Sequence, residues 1–171
     1  MRFFLLALLL GSSFPGVGRA QTRRGLLAEA GPTVTGWGSR AGAYYLWHLS
    51  DQWVLDLGAT HSMWFPREHP AGQLTAGGHV RYLIDVLRIV PSVHLGVGVG
   101  SLLDGAVPVT EVEYGLSADY MLSRRVQVGL TVSGVTAVFG EELSDDDGKM
   151  VGSVTRMQVL LRIQWVFGET W

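Results

Sequence analysis

The sequence predicts an all-β chain closed as an eight-stranded antiparallel up-and-down transmembrane β-barrel, and three observations carry the prediction. Apolar and polar residues alternate with period 2 through eight segments, the pattern of strands whose two faces meet different surroundings. Short and long connections alternate between those segments. Beyond the first twenty residues, no apolar run approaches the roughly 20 residues of a helical membrane span. A chain of this kind that crosses a membrane does so as strands.

Residues 1–20 read as a cleaved secretory signal peptide: one charge at Arg2, an apolar stretch from Phe3 to Leu10, then Gly18-Arg19-Ala20 before Gln21. The remaining 151 residues, 21–171, read as a single barrel domain. They carry 11 basic and 15 acidic residues, a net charge of −4, which gives no indication of a nucleic-acid partner. The absence of cysteine excludes a disulfide framework, a thiolate metal site and a lipoprotein anchor. No cofactor and no metal is expected.

Taken in order, the first strand is placed at Gly25 to Thr35, where Gly31-Pro32 marks a strand end or bulge because proline cannot donate to a ladder. The second covers Ala41 to Leu49, apolar on both faces over Tyr44 to Trp47, and the third covers Gln52 to Met63. The fourth, Leu74 to Asp85, sets Leu74, Ala76, Val80, Tyr82 and Ile84 against Thr75, His79, Arg81 and Asp85. In the fifth, Arg88 to Leu102, Ile89, Val93, Leu95, Val97 and Val99 oppose Ser92, His94, Gly96, Gly98 and Gly100. The sixth, Val109 to Leu122, holds Val112, Tyr114, Leu116 and Tyr120 in one row and Glu111, Glu113, Gly115, Ser117 and Asp119 in the other. The seventh runs from Val126 to Phe139 and the eighth from Gly152 to Phe167, with Arg156 and Arg162 opposite Met157, Leu161 and Ile163. Short turns at Ser50-Asp51, Val86-Leu87 and Ser123 to Arg125 share one rim with both chain ends, as an even strand count requires.

A soluble lipocalin-like barrel also alternates. The polar row here is rich in glycine (Gly77, Gly96, Gly98, Gly100, Gly115, Gly129), which suits a narrow lumen, and the apolar row is rich in Val, Leu, Tyr and Trp. Bulky apolar residues therefore face lipid. Aromatics near strand ends, among them Trp37, Trp47, Trp53, Trp64, Tyr82, Tyr120 and Trp165, are expected to form interfacial girdles.

The terminal strand, with Ile163, Trp165 and Phe167 alternating toward a final Trp171, resembles the assembly signal of bacterial outer-membrane barrels. Glu169 and the terminal tryptophan depart from its commoner form. With the signal peptide and eight segments, the whole mature chain resembles the small outer-membrane β-barrel family, whose architecture is that of the OmpA transmembrane domain, OmpX and OmpW. The resemblance implies a location in the outer membrane, contact with its lipid and lipopolysaccharide, insertion by the barrel assembly machinery, and a monomer. It extends to architecture, and no motif in it specifies one protein.

The inward row collects Glu29, Asp56, His79, Arg81, His94, Glu111, Glu113, Asp119, Arg156 and Arg162. In a lumen only wide enough for side chains, these groups are expected to pair and hydrogen-bond as a polar plug. The sharper alternative is a gated narrow pore in which Arg156 or Arg81 exchanges carboxylates. Two further alternatives are a conduit for small hydrophobic compounds and a soluble periplasmic binding barrel. A membrane-embedded lipid hydrolase finds little support: His61 and Ser62 are adjacent on a strand and point to opposite faces, while Ser92 and His94 face the lumen. The expectation is a non-enzyme. Glu141, Glu142, Asp145, Asp146 and Asp147 make the longest loop acidic, which reads as a solvated loop or a looser divalent-ion bridge to lipopolysaccharide phosphates; an EF-hand fails because Arg156 stands where the closing Glu belongs.

Overall fold

The computed structural model describes residues 23–35, 37–64, 71–84, 88–103, 108–139, 143–144, 150–151 and 155–167. The expected signal peptide, the acidic loop residues Glu141, Glu142 and Asp145 to Asp147, and Trp171 lie outside them. The strands are β1 (Arg24–Thr33), β2 (Gly38–His48), β3 (Trp53–Trp64), β4 (Ala71–Leu83), β5 (Ile89–Leu102), β6 (Pro108–Met121), β7 (Val126–Phe139), β8 (Leu143–Ser144), β9 (Met150–Val151) and β10 (Thr155–Phe167). Eight of them close a barrel in the order β1-β10-β7-β6-β5-β4-β3-β2, every neighbour antiparallel. The pair β8-β9 is a separate two-stranded ribbon within the long β7 to β10 connection, an element the alternation did not predict.

The closed ring leaves the barrel no sheet edge, which is what permits strands to sit in lipid. Burial alternates along the walls: in β10, Arg156, Gln158, Leu160, Arg162, Gln164 and Val166 are buried while Met157, Leu161, Ile163, Trp165 and Phe167 are exposed. The apolar row therefore faces outward. Tyr114 of β6 lies outside, over Gly134 of β7, its ring occupying the place of the missing side chain.

Two short turns use the same device. Ser50 Oγ accepts from the amides of Gln52 and Trp53 at 3.2 and 3.0 Å, and Ser123 Oγ accepts from Arg125 and Val126 at 3.2 and 3.1 Å. A serine at the first turn position stands in for a backbone acceptor and sets the chain reversal. At the opposite rim, Trp37 takes a left-handed backbone (φ 42°) between β1 and β2.

Three expectations need correction. The strand β2 starts at Gly38 and β4 at Ala71, each three residues earlier than the alternation placed them, because Gly38 to Arg40 and Ala71 to Gln73 continue the ladders on either side of β3. Trp64 is not part of an outward girdle: it is inward and buried, since it continues the row of Val54, Asp56, Thr60 and Ser62. The inward row is also not polar throughout, because Leu27, Leu46, Val54, Val90, Leu160 and Val166 are buried inside.

Candidate functional site: the ionic network of the lumen

Glycine makes room for the network. On β5 the inward positions Gly96, Gly98 and Gly100 form a strip without side chains, and the neighbouring strands lay theirs across it. Gly96 is paired with His79 on one side and Glu113 on the other, so these two side chains reach each other over the β5 backbone. A Cβ at Gly96 would overlap the His79 ring; one at Gly115 would come within 2.6 Å of His94. Likewise Asp119 fills the space above Gly129.

Glu113 is the hub. Its carboxylate accepts from Arg40 Nη2 at 2.6 Å, Ser133 Oγ at 3.0 Å, Gln158 Nε2 at 3.1 Å and His79 Nε2 at 3.2 Å, and His94 Nε2 lies 3.7 Å away. The other nitrogen of His79, Nδ1, is 2.6 Å from Asp56 Oδ1, and Arg81 Nη2 donates to Asp56 Oδ2 at 2.8 Å. With a carboxylate oxygen against each ring nitrogen, only the doubly protonated imidazole donates on both sides. Among the described residues, the buried ionisable groups are five carboxylates (Glu29, Asp56, Glu111, Glu113, Asp119), four guanidiniums (Arg40, Arg81, Arg156, Arg162) and the imidazoles of His79 and His94.

Around the hub, Glu111 accepts from Gln73 Nε2 at 2.9 Å and lies 3.6 Å from Arg40, so Arg40 faces two carboxylates. Toward the rim that holds the chain ends, Arg162 Nε is 3.2 Å from Asp119 Oδ1 and Nη1 donates to Ser117 Oγ at 2.6 Å. Glu29 accepts from the Tyr44 hydroxyl at 3.1 Å. Most of the expected inward groups are thus connected through Glu113, Asp56 and Glu111, while Glu29 with Tyr44 and Arg162 with Asp119 form smaller groups. Arg156 is stacked 3.8 Å from the Trp64 ring centroid and donates from Nη1 to Gln73 Oε1 at 3.4 Å, which joins it to Glu111 through Gln73.

The network is closed at both ends. Toward the rim that holds the chain ends, Leu27, Tyr44, Leu46 and Val54 pack with Leu83 into an apolar floor. Toward the other rim, Trp64 under Arg156, with Val109, Val135 and Ala137 buried nearby, forms a roof. Between them, the void bounded by Arg40, Thr60, His79, Glu111 and Glu113 measures about 10 Å³, at the lower limit for one water molecule.

Several residues of the site were not anticipated from sequence. Arg40 and Gln73 fell in segments read as loops; Ser117, Ser133 and Gln158 lie on inward rows but are uncharged, and only the charged members and histidines of those rows are singled out by sequence. Extending the β2 parity back from Tyr44 would have found Arg40. Of the weighed hydrolase pairs, His61 faces outward and Ser62 inward, and Ser92 is bonded to Ser117 at 2.6 Å. Ile163, Trp165 and Phe167 lie together on the outer face of β10.

No protein-family model matches the sequence, and no curated protein sequence matches it. Solved structures do match the fold, and they are eight-stranded transmembrane barrels. The N-terminal β-barrel domain of Pseudomonas aeruginosa OprF superposes with a TM-score of 0.61 at 12% identity, over 87% of this chain and 100% of that one. Neisserial surface protein A matches with a TM-score of 0.57 at 9% identity, over 85% and 96% of the two chains. A designed transmembrane barrel matches at 0.51 and 14%, over 87% and 98%. At these identities the likeness is one of fold: this chain has the architecture of a small transmembrane barrel.

Proposed function

We propose that the protein is an integral outer-membrane barrel of a Gram-negative-type envelope, without enzymatic activity, whose role is structural or lies in surface interactions of its outer loops. One observation carries the reading: an apolar outer wall encloses a lumen filled by a network of ion pairs and hydrogen bonds between a floor and a roof of side chains. Such a lumen serves as a rigid interior and leaves function to the outside. The likeness of fold to the OprF and neisserial barrels supports the location. In this reading the outer wall contacts membrane lipid, the acidic outer loop faces lipopolysaccharide, and Ile163, Trp165 and Phe167 present the assembly machinery with alternating apolar residues. The barrel acts as a monomer.

Membrane fractionation with heat-modifiability on a gel tests the location. Recovery in the outer membrane, with a mobility shift on boiling, is the expected result. Recovery in the soluble periplasm without a shift would replace this reading with a ligand-binding barrel. Planar-bilayer recordings test the sealed interior, and the expected trace is flat.

A further inference from the structure

The wall of the barrel is not uniform. Where β1 meets β10, pairing runs from Arg24↔Phe167 to Ala30↔Leu161, skips Gly31 and Pro32, and resumes at Thr33↔Gln158. On its other side β1 pairs without interruption, Gly31↔Arg40 and Pro32↔Ser39 included, and β10 pairs continuously with β7 through Val159 and Leu160. The gap therefore lies between β1 and β10; among the described residues the wall has a further irregularity where β6 pairs β7, a register shift at Thr110/Glu111 that skips Val138. The cause of the β1–β10 gap is local: Pro32 has no N–H to give to the ladder, and proline inside a sheet is otherwise confined to edges and bulges.

Beyond the gap, regular pairing gives way to improvised bonds. Met157 O accepts from the amides of both Val34 (2.7 Å) and Thr35 (3.5 Å), while the Met157 amide donates to the Thr35 hydroxyl at 2.8 Å. Outside the seam, the small side chains of Ala28 and Ala30 leave an apolar groove beside Leu161 and Ile163. No hairpin joins these two strands, since they are the first and last of the barrel. Floor and roof block the ends of the lumen, so the seam is the part of the enclosure with the fewest bonds to break.

The geometry points to a side opening: the β1–β10 seam above Ala30 and Leu161 parts locally and admits water to Gln158 and, through it, to the Glu113 hub, while the other seven seams stay closed. The inference rests on the barrel fold and is independent of the proposed cellular role. Openings of this kind are local events well below global unfolding in free energy.

Hydrogen exchange of the intact barrel in lipid nanodiscs, read by mass spectrometry, tests it. Peptides covering Thr33 to Thr35 and Thr155 to Leu160 should exchange at least about ten-fold faster than those covering the paired centres of β5 and β6. The Pro32→Val variant restores a donor and should bring the seam toward the β5–β6 rate. Equal protection of seam and β5–β6 in the unmodified protein, or fast seam exchange that the substitution leaves unchanged, overturns the assignment. Outer-membrane fractionation has no bearing on either result, so this inference and the proposed location fail separately.

Discussion

His79 and Glu113 stand on strands that are not neighbours, yet their side chains meet at 3.2 Å because the residue between them, Gly96 of β5, has no side chain. The contact couples β4 to β6 through the lumen, over the strand that separates them. It also lets one imidazole join the two main carboxylates, since Asp56 holds the opposite ring nitrogen.

Gly96→Ala should therefore disturb both the network and the β4 backbone, whose Gly78 carbonyl oxygen lies 2.7 Å from the added Cβ. The added methyl overlaps the His79 ring and displaces it from Glu113. Overpacking of this kind costs about 1–3 kcal/mol. Urea unfolding in lipid vesicles, followed by tryptophan emission, measures it; an unchanged midpoint would contradict the arrangement.

Glu113→Ala removes the shared acceptor of Arg40, His79, Ser133 and Gln158. Leaving buried cations without their partner costs about 3–5 kcal/mol. Glu113→Gln retains the shape and part of the bonding and should fall between alanine and the parent. A double-mutant cycle with Arg40→Met should show a coupling above about 0.5 kcal/mol, as for contacting residues in one network.

On the outer wall, Leu161 is 66% exposed and faces lipid in the proposed reading. Leu161→Arg should disfavour insertion by about 2–4 kcal/mol if it lies at midplane. Folding yield into vesicles, scored by the unboiled gel band, provides the measurement. Tolerance equal to that of an exposed turn position such as Arg124 would count against the membrane wall.

Trp64→Ala separates roof from plug. Truncating this buried ring should lower stability by about 3–5 kcal/mol, of which the lost Arg156 stack accounts for about 0.5–2 kcal/mol. Conductance across a planar bilayer should stay at baseline, because the bonds around Glu113 close the lumen beneath. Appearance of a steady current would make the roof the seal.

The fold was legible because the side-chain period survives along most of the strands. The seventh strand, Val126–Phe139, has the bounds that alternation gave it, and β5 ends at the expected Leu102. Legibility failed where a row changes character. Trp64 continues the inward parity of β3, but an aromatic at a strand end reads as a girdle residue. Leu27 and Leu46 are inward yet apolar, so the floor cannot be told from the outer wall by hydropathy alone. Which charges touch was beyond reach for a different reason: parity assigns a face, whereas the meeting of Arg40 with Glu113 depends on strand stagger and the heights it sets.

The glycine strip of β5 has a consequence for how this chain can vary. At Gly96, Gly98 and Gly100 every possible replacement is larger than what is there, and an added Cβ meets His79 at the first, Thr75 at the second and the β4 backbone at the third. Drift at these positions runs in a single direction, toward crowding, with no conservative neighbour to step to. A charged partner can be exchanged for a similar one elsewhere in the lumen, but an empty place cannot be approximated. The glycine strip of β5 is thus a part of the wall whose residue identities are narrowly prescribed, although it contributes no side chain to any bond.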